Sequence, residues 1–192
     1  SDGTEAGTAA VGNLNPGPGG SFPTDLVVAN GRLIFSAEDA TAGREPWTTE
    51  GKSGSTVRLL DVAAGATPSD PSDFVVVGKN VFFEADDSVH GPELWVTNGK
   101  PSGTKLVLDV RSGDLGSQPR NLTAAGKLVF FTANATGNGS ELWRSDGKPA
   151  GTFAIGTPAL NGVGSPQDLT AFGGRCVFAA EDATAGREPW IS

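Results

Sequence analysis

Residues 141–152 read ELWRSDGKPAGT. Nearly the same string stands at 93–104, ELWVTNGKPSGT, and a looser copy at 45–56, EPWTTEGKSGST. Working outward from these strings, a single period governs the chain. Trp47, Trp95, Trp143 and Trp190 are spaced by 48, 48 and 47 residues, and Pro23, Pro71, Pro119 and Pro166 keep the same three intervals. Phe35, Phe83, Phe131 and Phe178 each precede a Trp by 12 residues. Three markers in one register define an internal repeat, and repeats of this length point to stacked or radially arranged units. The first and fourth copies even share the segment AEDATAGREPW, at 37–47 and 180–190.

Within a repeat, short apolar runs alternate with turn residues. The third copy runs NLTAA, KLVFFTA, ELWRS and TFAIG, four segments of strand length separated by Gly, Asn and Pro. No segment carries apolar residues at helical spacing over a helical length. The sequence therefore predicts an all-β chain with four antiparallel strands per repeat. Four-stranded units of 40–50 residues are the blades of β-propellers, so the expected fold is a four-bladed β-propeller. The complete repeats are 23–62, 71–110 and 119–157, within a single domain of 1–192.

The remaining copy is split. Residues 1–8, SDGTEAGT, align with 145–152, while 166–192 supply the preceding part of that repeat. The expectation is that residues 1–14 form the fourth strand of the last blade and close the ring. Strand exchange with a neighbouring molecule satisfies the same split, as does excision from a longer array. The lack of any Met fits a processed or excised chain.

Composition limits the function classes. The chain has 192 residues, a net charge of −8 and only 14 Lys and Arg, so it repels phosphate backbones and nucleic-acid binding is not expected. The single cysteine, Cys176, excludes an intrachain disulfide and occupies the place of Leu33, Val81 and Val129, which predicts burial. No apolar run is long enough for a membrane-spanning helix, and membrane insertion is not expected. With one histidine and one cysteine, the usual zinc sites are excluded, and no G-x-S-x-G string suggests a hydrolase.

Four groups of residues are candidates for function. Trp47, Trp95, Trp143 and Trp190 either stack sugars or fill the space between blades. His90 lies in the loop SVHGPE and is a candidate ligand contact. The pairs Glu38 with Asp39, Asp86 with Asp87, and Glu181 with Asp182 are candidate Ca²⁺ ligands, since Ca²⁺ takes several carboxylate oxygens, or are solvated turns. Glu45, Glu93, Glu141 and Glu188 recur once per repeat. Fourfold repetition would set them around one channel, whereas a structural role would have each accept hydrogen bonds from a nearby loop.

The ELW strings resemble the bacterial ELWxxDGT repeat family, also known as hyalin-like repeats, over essentially the whole chain. The chain departs from that pattern at Pro46 and Pro189 in place of Leu, at Glu50 and Asn98 in place of Asp, and at Lys52, Lys100 and Lys148 in place of the Thr kept at Thr4. The resemblance implies a propeller and a secreted or cell-surface location, without a defined activity. The expected function is a non-enzymatic, extracellular binding or adhesion module that takes a glycan or protein through loops at one end of the propeller. The alternative is a structural subunit that self-associates into a filament or matrix by strand sharing or ring stacking.

Overall fold

A computed structural model describes residues 2–156, 166–182 and 186–192. The chain is all-β and forms successive propeller blades. The first blade contains β1 (Thr24–Ala29), β2 (Arg32–Asp39), β3 (Gly43–Thr49) and β4 (Val57–Arg58). The second contains β5 (Ser72–Val77), β6 (Asn80–Asp86), β7 (Pro92–Thr97) and β8 (Lys105–Leu108). The third contains β9 (Arg120–Ala125), β10 (Leu128–Ala133), β11 (Glu141–Ser145) and β12 (Phe153–Ala154). The fourth contains β13 (Gln167–Phe172), β14 (Arg175–Asp182) and β15 (Gly186–Ile191). Each blade is an antiparallel meander in chain order. The first strands form the inner edge: β1 packs on β5, β5 on β9, and β9 on β13.

Alternation of side chains across each pleated strand gives every blade two apolar faces. We call the face toward the preceding blade the front and the other the rear. The rear of blade one, with Val27, Ala29, Ile34 and Leu59, meets Phe74, Val76 and Val81 on the front of blade two. Phe82, Leu94 and Val96 meet Val129, Phe131 and Ala133 across the next boundary. Phe130 and Leu142 meet Cys176, Phe178 and Ala180 across the third. The repeating Phe belongs to these fronts; Phe83 stacks on Phe74 with ring centroids 5.0 Å apart.

The opening string also becomes intelligible. Its last residue returns to the strand it left: Thr97 and Thr104 share a hydroxyl hydrogen bond of 2.8 Å, and Ser145 and Thr152 share one of 2.7 Å. The Gly99 and Gly147 amides donate to the same Thr97 and Ser145 hydroxyls. Between them a single 3₁₀ turn, 101–103 or 149–151, begins on the Pro of the string. The positive φ falls on Gly99 and Gly147, while Asn98 and Asp146 accept the Lys100 and Lys148 amides. True two-residue hairpins occur elsewhere, as at Asn30-Gly31 between β1 and β2, where both residues have positive φ.

The expectation for residues 1–14 is also corrected. Ser1 lies outside the described residues, and 2–22 contain no strand. Among the described residues the fourth sheet has three strands, and the N-terminal segment pairs with none of them. It lies instead on the front of blade one, where Leu14 packs with Leu33, Phe35, Ala37 and Trp47. The physical reason is register. Leu14 is the counterpart of Val62, which packs on Phe83, Ala85 and Trp95 of blade two, so the segment follows its own repeat onto the next front.

Cys176 is fully buried, and burial raises its thiol pKa. A thiol reagent should therefore leave the folded protein unmodified, and should label Cys176 stoichiometrically only as denaturant unfolds blade four. Rapid labelling in native buffer would contradict this packing.

Candidate functional site

The recurring glutamates fasten the connections between blades. Glu45 is fully buried on β3. It accepts from the Val62 amide at 2.9 Å, the Ser69 amide at 3.2 Å and the Ser69 hydroxyl at 2.7 Å. Glu93 repeats this one blade on, accepting from the Arg111 amide at 3.0 Å and from the Ser117 amide and hydroxyl at 2.8 and 2.6 Å. Their oxygens are thus spent on linkers and do not converge on a channel. Glu141 and Glu188 are exposed, and the linker that follows blade three lies largely outside the described residues.

Gly91 permits the second linker to pass so close. It has φ of 68°, and a Cβ there would stand 2.4 Å from the Asp114 carbonyl oxygen. Burial pushes Glu45 up to about 7 against the pull of its three donors, and it also raises Glu93.

The other candidates separate on inspection. Trp47 is buried beneath Leu14 of the N-terminal segment and Trp95 beneath the linker from blade one, and their indole N–H groups donate to the Ala37 and Ala85 carbonyls of their own sheets, each at 3.1 Å. Trp190 makes the same bond to Ala180 from a half-buried position. Trp143 is half-buried, tilted against Phe131, and its Nε1 has no hydrogen-bond partner among the described residues. The sugar-platform reading is therefore corrected for Trp47 and Trp95, because burial under the chain segment that precedes each front leaves no ring face to a ligand.

The acidic pairs are drawn into separate contacts. Among the described residues no three carboxylate, His or Cys groups gather as a metal set. Glu38 pairs with Arg44 at 2.9 Å, Asp39 with Arg58 at 2.8 Å, and Glu181 with Arg187 at 3.5 Å. Asp86 accepts the Ser88 amide at 2.7 Å. The Asp182 side chain lies outside the described residues. Asp87 accepts the Val89 and His90 amides, and its other oxygen is 2.7 Å from His90 Nδ1, a bond that raises the His90 pKa.

A different constellation is assembled at the inner edge. A cavity of about 470 Å³ opens where the first strands of blades one to three begin. Glu84, buried on β6, lies in its wall. It accepts from Ser72 at 3.1 Å and forms an ion pair with Arg120 of blade three. Burial raises the Glu84 pKa and Arg120 opposes that shift. Arg44 lines the opposite side, donating to the Phe22 carbonyl at 3.1 Å and the Thr24 hydroxyl at 3.3 Å. Asp25 and Asp70 project beside it on exposed backbone with φ of 54° and 45°, a region that Asp tolerates better than bulkier residues. The groove thus presents carboxylates, hydroxyls and two guanidinium groups together, suited to a ligand rich in hydroxyl, amide or amine groups.

Periodicity conceals this groove, because several of its polar positions differ between repeats while Pro71 and Ala85 recur. The position of Thr24 holds Ser72, Arg120 and Gln167 in the later copies, and that of Ser36 holds Glu84, Thr132 and Ala179. That mismatch, set against the invariant Trp and Ala37, Ala85, Ala133 and Ala180, is the signal that would have found it.

No family model matches the sequence, and no curated protein matches it. Solved structures are similar. A puromycin hydrolase has a TM-score of 0.56 at 16% identity, covering 88% of this chain and 27% of its own. The acylaminoacyl peptidase of Pyrococcus horikoshii has a TM-score of 0.56 at 13% identity, covering 89% and 26%. A prolyl endopeptidase has a TM-score of 0.53 at 12% identity, covering 88% and 26%. The chain spans about a quarter of the length of these structures. Those neighbours are enzymes, but at such identities the likeness concerns the β-propeller fold alone.

The Glu45 linkage makes a signed prediction. A carboxyl held above its unfolded value of 4.5 contributes stability that is fully present below pH 4.5 and is lost as pH rises through about 7. Melting temperature should fall across that window, and Glu45→Gln should reduce the fall because the neutral amide does not ionise. Glu45→Ala strands the Val62 and Ser69 donors and should cost about 2–4 kcal/mol at any pH. Thermal melts of the three proteins at pH 5 and 7.5 check this; an unchanged slope in Glu45→Gln would refute it.

Proposed function

We propose that the chain is a non-enzymatic binding module of a secreted or cell-surface protein. It grips a glycan or a protein segment in the groove at the inner edge of blades one to three. One observation carries this reading: the polar side chains of Arg44, Asp70, Glu84 and Arg120, which the other repeats do not share as a set, meet in one groove on a frame of recurring Pro, Ala and Trp. A rigid scaffold with individually chosen rim residues is the usual construction of a recognition surface.

The chemistry of the rim narrows the ligand. Asp25, Asp70 and Asp86 outnumber Arg44 and Arg120, so the groove favours hydroxyl, amide and amine donors over anions. Sugars and polar peptide segments supply these groups. The ELWxxDGT resemblance supports the extracellular placement, and the net charge of −8 agrees with a partner that is not a nucleic acid.

The test is a glycan array and a peptide library probed with the immobilised chain, followed by titration of the best ligand. Asp25→Asn and Asp70→Asn keep a residue that tolerates positive φ while removing charge. Each should weaken binding about 10-fold, the scale of one lost charged hydrogen bond. Equal binding by both variants would place recognition elsewhere. Hydrolysis of chromogenic peptide or ester substrates, abolished by Glu84→Gln, would instead make the groove an active site.

A further inference from the structure

Two of the blade faces are left open along their inner strands. On the front of blade one, Leu26 and Val28 are 56% and 68% exposed. Their counterparts Phe74 and Val76 in blade two, and Leu122 and Ala124 in blade three, are packed into the boundary with the blade before. On the rear of blade four, Phe172 and Ile191 are 69% and 53% exposed. Their counterparts Val77 and Val96 are buried against blade three. The first strands pack in succession from β1 to β13, but β13 does not pack on β1 in the same way, so among the described residues the two open faces do not meet.

These faces are complementary by construction. Every internal boundary joins the rear of one blade to the front of the next, and here one unused rear and one unused front remain. We infer that the chain pairs with a second copy of itself, the rear of blade four of each copy seated on the front of blade one of the other. The two contacts are equivalent by a twofold axis along the channel, so the blades of both copies form one closed ring.

A second feature selects this occupant over an unrelated partner. Residues 2–14 keep the register of 50–62, which are the turn, fourth strand and linker of blade one. Leu14 is already docked on the front of blade one as Val62 is on blade two. The segment 9–10, in register with β4, therefore arrives beside β15 of the other copy. Among the described residues β15 pairs only with β14, so one edge is open to a further strand. A second copy supplies the apolar face and the missing strand at once. The contact continues the blade-to-blade step already made three times, which turns about the axis of the inner strands and favours closure over an open filament.

Light scattering on a size column tests this with the 192-residue chain. The expected mass is twice 19.5 kDa, independent of concentration in the micromolar range. Val28→Lys and Phe172→Glu change exposed side chains and should each give a folded monomer, with circular dichroism unchanged. The double variant places opposite charges on faces that meet and should restore the doubled mass at low salt. A wild type that stays at 19.5 kDa, or that forms polymers of increasing length, would overturn the closed pair. So would a dimer that neither single variant disturbs. Ligand binding by a monomeric variant separates this inference from the groove reading, because the groove lies within one copy.

Discussion

A carboxylate withdrawn from water must be met by donors, and the propeller is organised around two that are. Glu45 and Glu93 stand near the start of their third strands with both oxygens occupied by the linker that leaves the same blade. Each linker must cross from the outer edge of one blade to the inner strand of the next. Without the glutamate, its amides at Val62, Ser69 and Ser117 would lose a buried partner, and the blade-to-blade angle would lack a stop. Val62 in turn packs on Phe83 and Trp95, so the polar anchor and the apolar boundary share one piece of chain. The groove at the inner edge inherits its shape from this arrangement, because Ser69 and Asp70 belong both to the linker and to the groove wall.

Much of this was legible in the sequence, for a physical reason. Boundaries between like blades demand like residues, so Phe35, Phe83, Phe131 and Phe178 recur with the Trp that accompanies them. The four strands of a blade and the burial of Cys176 follow from that recurrence. The structural role of Glu45 and Glu93 was also visible as one of two options, since a buried acid between apolar neighbours needs donors. What repetition could not reveal was anything that differs between copies. The ion pair of Glu84 with Arg120 joins two positions that hold Ser36 and Ser72, or Thr132 and Gln167, at the other boundaries, and no period points to it. The N-terminal segment misled for a related reason: alignment identifies which part of a repeat it is, but not which sheet it joins.

The acidic pairs teach the converse. Adjacent carboxylates in Glu38-Asp39 and Asp86-Asp87 resemble half of a metal site when read as letters. Successive residues on a strand point to opposite faces, and at the strand end each acid finds a different task. Asp39 holds the amides of Thr41 and Ala42 and reaches Arg58, whereas Glu38 turns to Arg44. Proximity in sequence separates such groups in space. The groove gathers groups from three blades that are far apart in sequence.

The reach of each glutamate has a genetic consequence. Because Glu45 binds the connection leaving its own blade, one repeat carries both the latch and the strand of chain it secures. A copied unit of 48 residues arrives with those hydrogen bonds already encoded, and excision of a unit removes them as a set. Such a gene can lengthen or shorten by whole blades without passing through intermediates that leave buried acids unmatched. The identical AEDATAGREPW segments of the first and fourth copies are what recent duplication of that kind would leave behind.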